Sequence, residues 1–168
     1  GDVVTMGGSG FGLMAVLVGI ERGYITREEG LDRLLNTVIF LEQANRYYGV
    51  FPHWMNGNTG RTIPFSQFDD GGDLVETAFL LQGLLTVRAY FDGNTANEVV
   101  LRQIITGIWE AVNWNWYRQN DESVLTWHWS PNHGFRIDLP IRGWNESMII
   151  YVLGGSSPTN PIPMRSYH

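Results

Sequence analysis

Apolar side chains recur every three or four residues along most of the chain, the spacing typical of helices that bury one face. The clearest example lies between Thr26 and Tyr48, where six such positions are Leu31, Leu34, Leu35, Val38, Ile39 and Leu41. Similar patterns predict four more helices, over about residues 10–22, 73–91, 96–117 and 145–153. One short strand is predicted within residues 124–129. The pattern therefore predicts an all-α fold.

The ends of the predicted helices carry local signals. Thr26 and Glu29 have the spacing of a capping box ahead of the second helix, and Gly23 is placed to end the first. The longest apolar run, residues 11–20, is shorter than the roughly 20 residues that span a bilayer. It also lacks the basic leader of a signal peptide, because Gly1-Asp2 stand at the start. We expect a buried helix there and no targeting segment in this chain.

Two long connections separate the predicted helices. Residues 50–72 form a loop rich in Gly, Asn and aromatic side chains, and residues 131–143 form a second. Long loops in compact domains are usually functional or disordered, and the aromatic content of the first disfavours disorder. Short turns on one side and long loops on the other predict helical hairpins with a cleft at the loop end. The helices are apolar on more than one face, which is typical of helices inside a larger protein.

Composition narrows the possible functions. The chain has 168 residues, 11 basic and 17 acidic side chains, a formal net charge of -6, and no Cys; every basic residue is Arg. An acidic chain without a basic cluster is not expected to bind nucleic acid or an anionic membrane. Without Cys there is no disulfide, no thiolate nucleophile and no Cys-ligated metal.

The densest chemistry lies at the predicted start of the third helix. Four carboxyl groups fall within eight positions, at Asp69, Asp70, Asp73 and Glu76. Acids at a helix N-terminus cap its free N–H groups and favour its dipole, which explains one or two of them. Crowded, partly buried acids also push their pKa values apart, as an acid–base pair requires. Both interpretations stay open from the residues alone.

A second candidate acid is Glu146, which follows Trp144 at the start of the last helix. A carboxyl group packed against an aromatic ring in a dry pocket has a raised pKa, which suits a general acid. The alternative is that Asn145 caps the helix and Glu146 is a solvated residue of its first turn.

Aromatic residues alternate with polar ones in the loops, and Trp, Tyr and Phe make up 13% of the chain. Sugar rings present flat C–H faces and a polar rim, so they bind to aromatic platforms with polar side chains between them. The expected sugar-binding residues are Phe51, His53, Trp54, Arg61, Trp129, His133 and Trp144. Core packing is the alternative, and it is the expected role of Trp109 and Trp114.

Other chemistries are less well supported. His53, His128 and His133 are scattered, so we predict no metal and no organic cofactor, although His128 and His133 beside an Asp leave a metal site open. The string from Asp69 to Asp73 would match a metal-binding Asp-rich motif only in a helix, which its two glycines disfavour. No nucleophile elbow or phosphate loop is present.

Several motifs resemble the bacterial glucoamylase-like domain family, and within it the endo-β-1,2-glucanases of glycoside hydrolase family 144. Two of these motifs are Gly49-Val50-Phe51-Pro52-His53-Trp54 and Trp144-Asn145-Glu146-Ser147-Met148. The remaining matches, in the order of the family, are residues 10–13, 20–29, 76–83, 89–93, 112–116 and 154–161. The resemblance covers nearly the whole chain.

The resemblance implies an (α/α)6 toroid that hydrolyses β-1,2-linked glucan with inversion, without metal or organic cofactor. The essential acids of the family lie in an Asp-x-x-x-Asp-x-x-Glu string, matched by Asp69, Asp73 and Glu76. A further Glu after Trp-Asn is matched by Glu146. We expect Glu146 to be the general acid, with the base among the other three, all four facing a common cleft.

A toroid of twelve helices needs roughly 300 or more residues, and this chain supplies about five helices. We therefore expect residues 1–168 to form one partial toroid domain. The expected partners are a glucan and either the other half of the toroid or a second copy of the chain. A non-catalytic glycan-binding or structural fragment is the alternative function, and a metal-dependent helical enzyme is a third. A polymeric substrate suggests a periplasmic or secreted location.

Overall fold

The computed structural model describes residues 2–119 and 122–166. Within them, the helices are α1 (Met6–Glu21), α2 (Arg27–Gln43), α3 (Leu74–Tyr90), α4 (Ala96–Glu110) and α5 (Met148–Ser156), and the strands are β1 (Val3–Thr5), β2 (Trp54–Asn56), β3 (Thr62–Ile63), β4 (Gly72–Asp73) and β5 (His128–Trp129). Two 3₁₀ helices cover Trp114–Arg118 and Met164–Ser166. Five α-helices and strands of two or three residues confirm the predicted all-α class.

The helices form two layers. Helix α1 packs along α3, and α3 packs against α5, while α2 packs against α4 on the other side. Odd-numbered helices therefore share one layer and even-numbered helices the other, as in a series of helical hairpins. Among the described residues, no helix combines the length and apolar character needed to cross a membrane.

Helices α1 and α3 approach each other backbone to backbone at two glycines. A Cβ atom on Gly10 would overlap the carbonyl oxygen of Phe79, and one on Gly83 would overlap the carbonyl oxygen of Gly10. The close approach lets Leu13 and Leu80 lie buried in one hydrophobic core. It also brings the N-terminus of α1 beside the N-terminus of α3.

Local signals set the helix starts more accurately than the helix ends. The Thr26–Glu29 capping box is present, and Gly23 has φ of +71° just after α1. Helix α2 ends at Gln43, earlier than predicted, because the chain beyond it pairs with the following loop through Asn45 N–H and Gly60 O, 2.9 Å apart. The predicted helix start at Asn145 was also early, since α5 begins at Met148.

Helix α4 ends at Glu110 and not at Tyr117. The turn after it lets Val112, Trp114 and Tyr117 become buried, which a straight helix would not allow for all three. Trp109 and Trp114 are core residues, as expected from the packing interpretation.

Two small sheets organise the long loops. Strands β1, β2 and β3 form an antiparallel sheet in that order, so residues 50–72 contain strands as well as loop. Strands β4 and β5 form an antiparallel pair in which Gly72 faces Trp129 and Asp73 faces His128. The second pair carries the acidic cluster at the start of α3.

Candidate functional site

Asp73 joins the short sheet to the helix that follows it. It is the last residue of β4 and the N-cap of α3, and its Oδ1 accepts the N–H of Glu76 at 2.9 Å. Capping therefore accounts for Asp73, as one interpretation of the sequence predicted. The antiparallel register places His128 opposite it.

The carboxylate of Asp73 is fully buried and hydrogen-bonded on both oxygens. Oδ1 also accepts Trp127 Nε1 at 3.0 Å, and Oδ2 lies 2.9 Å from His53 Nδ1 and 3.4 Å from His128 Nε2. Burial raises the pKa of Asp73, but hydrogen bonds from His128 and His53 outweigh it and hold that pKa below its ordinary value. Asp73 is thus an ionised anchor for three side chains.

His128 bridges two carboxylates. Its Nε2 atom lies 3.1 Å from Oδ2 of Asp69 in addition to its contact with Asp73. Burial lowers the pKa of His128, but hydrogen bonds to Asp69 and Asp73 outweigh it and raise the pKa from 6.5 to about 9. A protonated imidazole at this position offsets part of the negative charge of the cluster.

His53 contacts the same oxygen of Asp73 as His128 does. Its hydrogen bond to Asp73 raises the pKa of His53. The imidazole stacks on Phe65, with ring centroids 4.1 Å apart, and Trp54 packs edge-on against both rings. This aromatic group borders the acids on the side of β2.

Glu76 is the half-buried acid of the cluster, one turn into α3. Its Oε2 accepts the backbone N–H of Gly7 at 2.7 Å, at the start of α1. Burial raises the pKa of Glu76, the Gly7 N–H lowers it, and the charge of Asp73 raises it again, for a net increase. Of the clustered acids, Glu76 is therefore the best suited to carry a proton.

Asp70 points to a different partner. Its Oδ2 accepts Asn132 Nδ2 at 2.6 Å, in the second long loop. Burial raises the pKa of Asp70, but hydrogen bonds from Ser130 and Asn132 lower it to a net value below the ordinary one. Asp70 ties the two loops together beside the cluster.

The cluster also has the composition of a cation site. Ligand atoms of His53, Asp69 and Asp73 lie within 4.8 Å of one another. An imidazole and two carboxylates suit a divalent cation. Nε2 of His128 already lies 3.1 Å from Oδ2 of Asp69 and 3.4 Å from Oδ2 of Asp73, so a cation bound to those oxygens would compete with that imidazole.

The structure therefore brings together Asp69, Asp73, Glu76 and His53 from the predicted set, with Trp54 beside them. Phe51 does not join them, because its side chain is fully buried in the core and meets no open surface. The expectation that Phe51 lines a cleft is wrong for this chain: its backbone, and not its ring, serves the site, by accepting the N–H of Asp73 at 2.8 Å.

Glu146 and Trp144 lie in the exposed segment before α5. Trp144 is 86% exposed, so it does not desolvate Glu146 as expected. The ring borders a cavity of about 460 Å³ whose other lining residues are Val124, Ile141, Arg142, Gly143, Met148, Tyr151 and Ser166. Among the described residues, no hydrogen bond or ion pair connects Glu146 with the clustered acids.

The other predicted sugar contacts are spread over the loops. Trp129 is half-buried in β5, and Arg61 is exposed before β3. His133 is exposed too. Its ring lies edge-on to Phe68, with centroids 5.1 Å apart, and its backbone N–H donates to Ser130 Oγ.

Three residues of the cluster were not predicted as site residues. Trp127 comes from a segment predicted only as a strand, His128 was considered as a possible metal ligand with His133, and Gly7 precedes the first predicted helix. The available signal was a polar ring between two Trp residues in the predicted strand. That segment does not show that His128 pairs with Asp73 across the sheet.

No family model matches the chain. It is 46% identical to the exo-β-1,2-glucooligosaccharide sophorohydrolase (non-reducing end) of Parabacteroides distasonis, over 99% of this chain and 23% of that protein. It is 54% identical to the endo-β-1,2-glucanase of Chitinophaga pinensis, solved with sophorotriose and glucose, with a TM-score of 0.96. It is also 54% identical to a candidate glucoamylase of Bacteroides caccae, with a TM-score of 0.97. The chain covers 40% of each solved protein and is itself covered to 99%.

The comparisons confirm the resemblance to glucoamylase-like proteins and β-1,2-glucanases along the whole chain. They also confirm the fold class, since the five helices superpose on part of those larger folds. The chain spans less than half the length of these relatives.

Proposed function

We propose that this chain forms part of a glycoside hydrolase that cleaves β-1,2-linked glucan by inversion, with the cluster at the start of α3 in its catalytic site. The observation that carries the proposal is Glu76, a half-buried acid of raised pKa beside the ionised Asp73 network. The identity of 46–54% to proteins named for β-1,2-glucan hydrolysis supports the linkage.

An inverting hydrolase uses one protonated acid for the glycosidic oxygen and one carboxylate that activates water. We assign the proton to Glu76, because its raised pKa keeps it protonated to higher pH than an ordinary Glu. Asp69 is the candidate base: within the described residues its Oδ1 makes no hydrogen bond, whereas its Oδ2 is held by His128.

Asp73 has a positioning role in this proposal. It is fully buried and its two oxygens are already bonded to His53, His128, Trp127 and the N–H of Glu76, so it does not meet a sugar itself. Its charge instead fixes both imidazoles and the first turn of α3.

Glu146 is the competing general acid, in keeping with the Trp-Asn-Glu motif. The exposure of Trp144 removes the local reason for a raised pKa in this chain. In a complete toroid, further protein would have to cover Trp144 for Glu146 to serve as the acid.

The aromatic group of His53, Trp54 and Phe65 is the proposed contact for a sugar ring next to the acids. Arg61 and His133, both exposed in the flanking loops, are proposed to reach hydroxyl groups of neighbouring glucose units. Neutral sugar recognition of this kind needs no metal or organic cofactor.

The test uses this chain alone and a chimera in which it replaces the matching segment of the Chitinophaga pinensis enzyme. We expect the chimera to release reducing sugar from β-1,2-glucan, and Glu76→Gln to lower kcat by about 10²–10⁴-fold while binding persists. Glu28→Gln, an exposed acid of α2, is the matched control. A loss in Glu146→Gln with full activity in Glu76→Gln would reverse the assignment.

A second candidate function is glycan binding without hydrolysis. It is favoured by the coverage of 23–40%, because a chain with part of a toroid holds only part of the site. Binding of β-1,2-glucan by the chimera, with no sugar release in any form, would favour this function over hydrolysis.

We also propose that the remaining half of a toroid, or a second copy of the chain, covers the exposed apolar residues Phe11, Val18 and Val152. A polymeric glucan is met outside the cytoplasm, so a periplasmic or secreted location goes with the proposed substrate.

A further inference from the structure

A tight turn after α2 holds an unusual residue. Tyr47 and Val50 exchange backbone hydrogen bonds of 2.8 and 3.1 Å across Tyr48 and Gly49. Tyr48 has φ of +55° and Gly49 has φ of +82°. Positive φ at both central residues defines a type I′ turn, which favours Asn-Gly. A bulky aromatic residue at the first position costs conformational energy.

Tertiary contacts hold Tyr48 in this conformation. Its ring stacks on Trp116 with centroids 3.8 Å apart and planes within 20°. Its carbonyl oxygen accepts the N–H of Asn113 at 2.9 Å. At Gly49 the turn lies so close to the backbone of Ala111 that a side chain would overlap it. The turn is therefore fixed against the segment after α4.

Trp116 is held by a helix cap. It lies in the 3₁₀ helix Trp114–Arg118, whose N-cap Asn113 accepts the Trp116 N–H with its side-chain oxygen at 3.1 Å. The same Asn113 thus donates to the Tyr48 turn and caps the helix that carries Trp116. Both rings are held by backbone and not only by each other.

Trp129 completes the group by packing edge-on against Tyr48 at 5.0 Å and Trp116 at 5.9 Å. We call Tyr48, Trp116 and Trp129 the aromatic platform. Tyr48 is 42% exposed and Trp116 37%, although each is a large aromatic residue that the core would accept. Rigid, uncharged, partly exposed rings suit the C–H faces of a pyranose at little entropic cost.

The platform adjoins the proposed catalytic cluster without being part of it. Trp129 follows His128 in β5, and successive side chains of a strand point to opposite faces. His128 bonds to Asp69 and Asp73, so Trp129 and the platform lie across the strand from the acids. Because the two surfaces face different sides of β5, we expect a polymer to contact both and a short sugar held by the acids to leave the platform uncovered.

We propose that the aromatic platform is a second glucan-binding surface that holds glucose units of a β-1,2-glucan chain remote from the bond being cleaved. The ligand class rests on the proposed function. The stacked and partly exposed rings locate the surface independently of it.

The test measures binding of long β-1,2-glucan and of sophorotriose to this chain and to the chimera. Tyr48→Asn is the informative variant, because Asn suits the type I′ turn and preserves it while removing the ring. We expect Tyr48→Asn and Trp116→Ala to raise the Kd for the polymer about five- to tenfold. The Kd for sophorotriose, and the kcat of the chimera with sophorotriose as substrate, should stay unchanged.

Tyr24→Ala is the matched control, since Tyr24 is 82% exposed on another turn. The same polymer affinity in wild type and Tyr48→Asn would overturn the proposal, as would a change in oligomeric state with unchanged sugar affinity, which would indicate a protein interface. Weaker polymer binding in Tyr48→Asn, with no hydrolysis by any form, would keep the platform and reject the hydrolase.

Discussion

His128 and Asp73 face each other across the β4–β5 pair, with Nε2 of the imidazole 3.4 Å from Oδ2 of the carboxylate. The same Asp73 caps α3, so the sheet register, the helix start and the charge balance of the cluster depend on one buried side chain. Changes at either residue should therefore affect both stability and the proposed chemistry.

The stability of the fold should depend on pH through His128. Its folded pKa of about 9 lies above the ordinary 6.5, so its contribution is complete below about pH 6.5 and is lost as pH rises towards 9. The raised pKa of His53 acts in the same direction. The lowered pKa of Asp73 preserves stability above its ordinary 3.8 and loses it as pH falls further. Denaturant unfolding from about pH 2 to about pH 9 measures both losses.

His128→Gln should reduce the decline in the free energy of unfolding between pH 6.5 and 9, because it removes the imidazole whose pKa is raised to about 9. His133→Gln, at an exposed histidine, is the control and should keep the wild-type profile. If the free energy of unfolding of His128→Gln fell with pH as steeply as that of the wild type, the two carboxylates would not stabilise a protonated His128.

Asp73→Asn should lower the free energy of unfolding by about 3 kcal/mol. Asn retains the helix cap but removes the buried charge that His53, His128 and Trp127 share. Asp32→Asn, on the exposed face of α2, should change it by less than about 0.5 kcal/mol. Equal stability of the two variants would contradict the anchoring role.

Gly10→Ala should destabilise the fold by about 1–3 kcal/mol, because the new methyl group overlaps the backbone of α3 at Phe79. Gly12→Ala, on the same helix, meets nothing within 4 Å and should stabilise the fold by up to about 1 kcal/mol. Opposite signs in thermal melts of the two variants are the expected result. A stable Gly10→Ala would mean that α1 and α3 do not touch there.

A chelator should leave the melting temperature of the wild-type chain unchanged, since His128 Nε2 already lies within 3.4 Å of Oδ2 of both Asp69 and Asp73 and would oppose a cation there. His128→Ala should expose His53, Asp69 and Asp73 as a ligand set and make the melting temperature rise with added Zn²⁺. A chelator-sensitive wild type would instead indicate a resident metal.

Local order was predictable from the residues. The period of apolar side chains identified all five α-helices of residues 2–119 and 122–166, and the Thr26–Glu29 box and Gly23 were found where expected. The acids from Asp69 to Glu76 were predicted to gather at a helix start, and Asp73 caps α3. Such features depend on neighbours within about one helical turn, so the sequence alone suffices to predict them.

Only the tertiary structure decided which acids have which surroundings. Asp73 bonds to Trp127, 54 positions away, and Glu76 bonds to Gly7, 69 positions away. Strand pairing and helix packing make these contacts, and strands of two residues are too short to be predicted from their sequence pattern. The same long-range packing buried Phe51 and forced Tyr48 into a turn that its own propensity disfavours. Burial and pKa follow from such distant contacts, because desolvation and charge act through space and not along the chain.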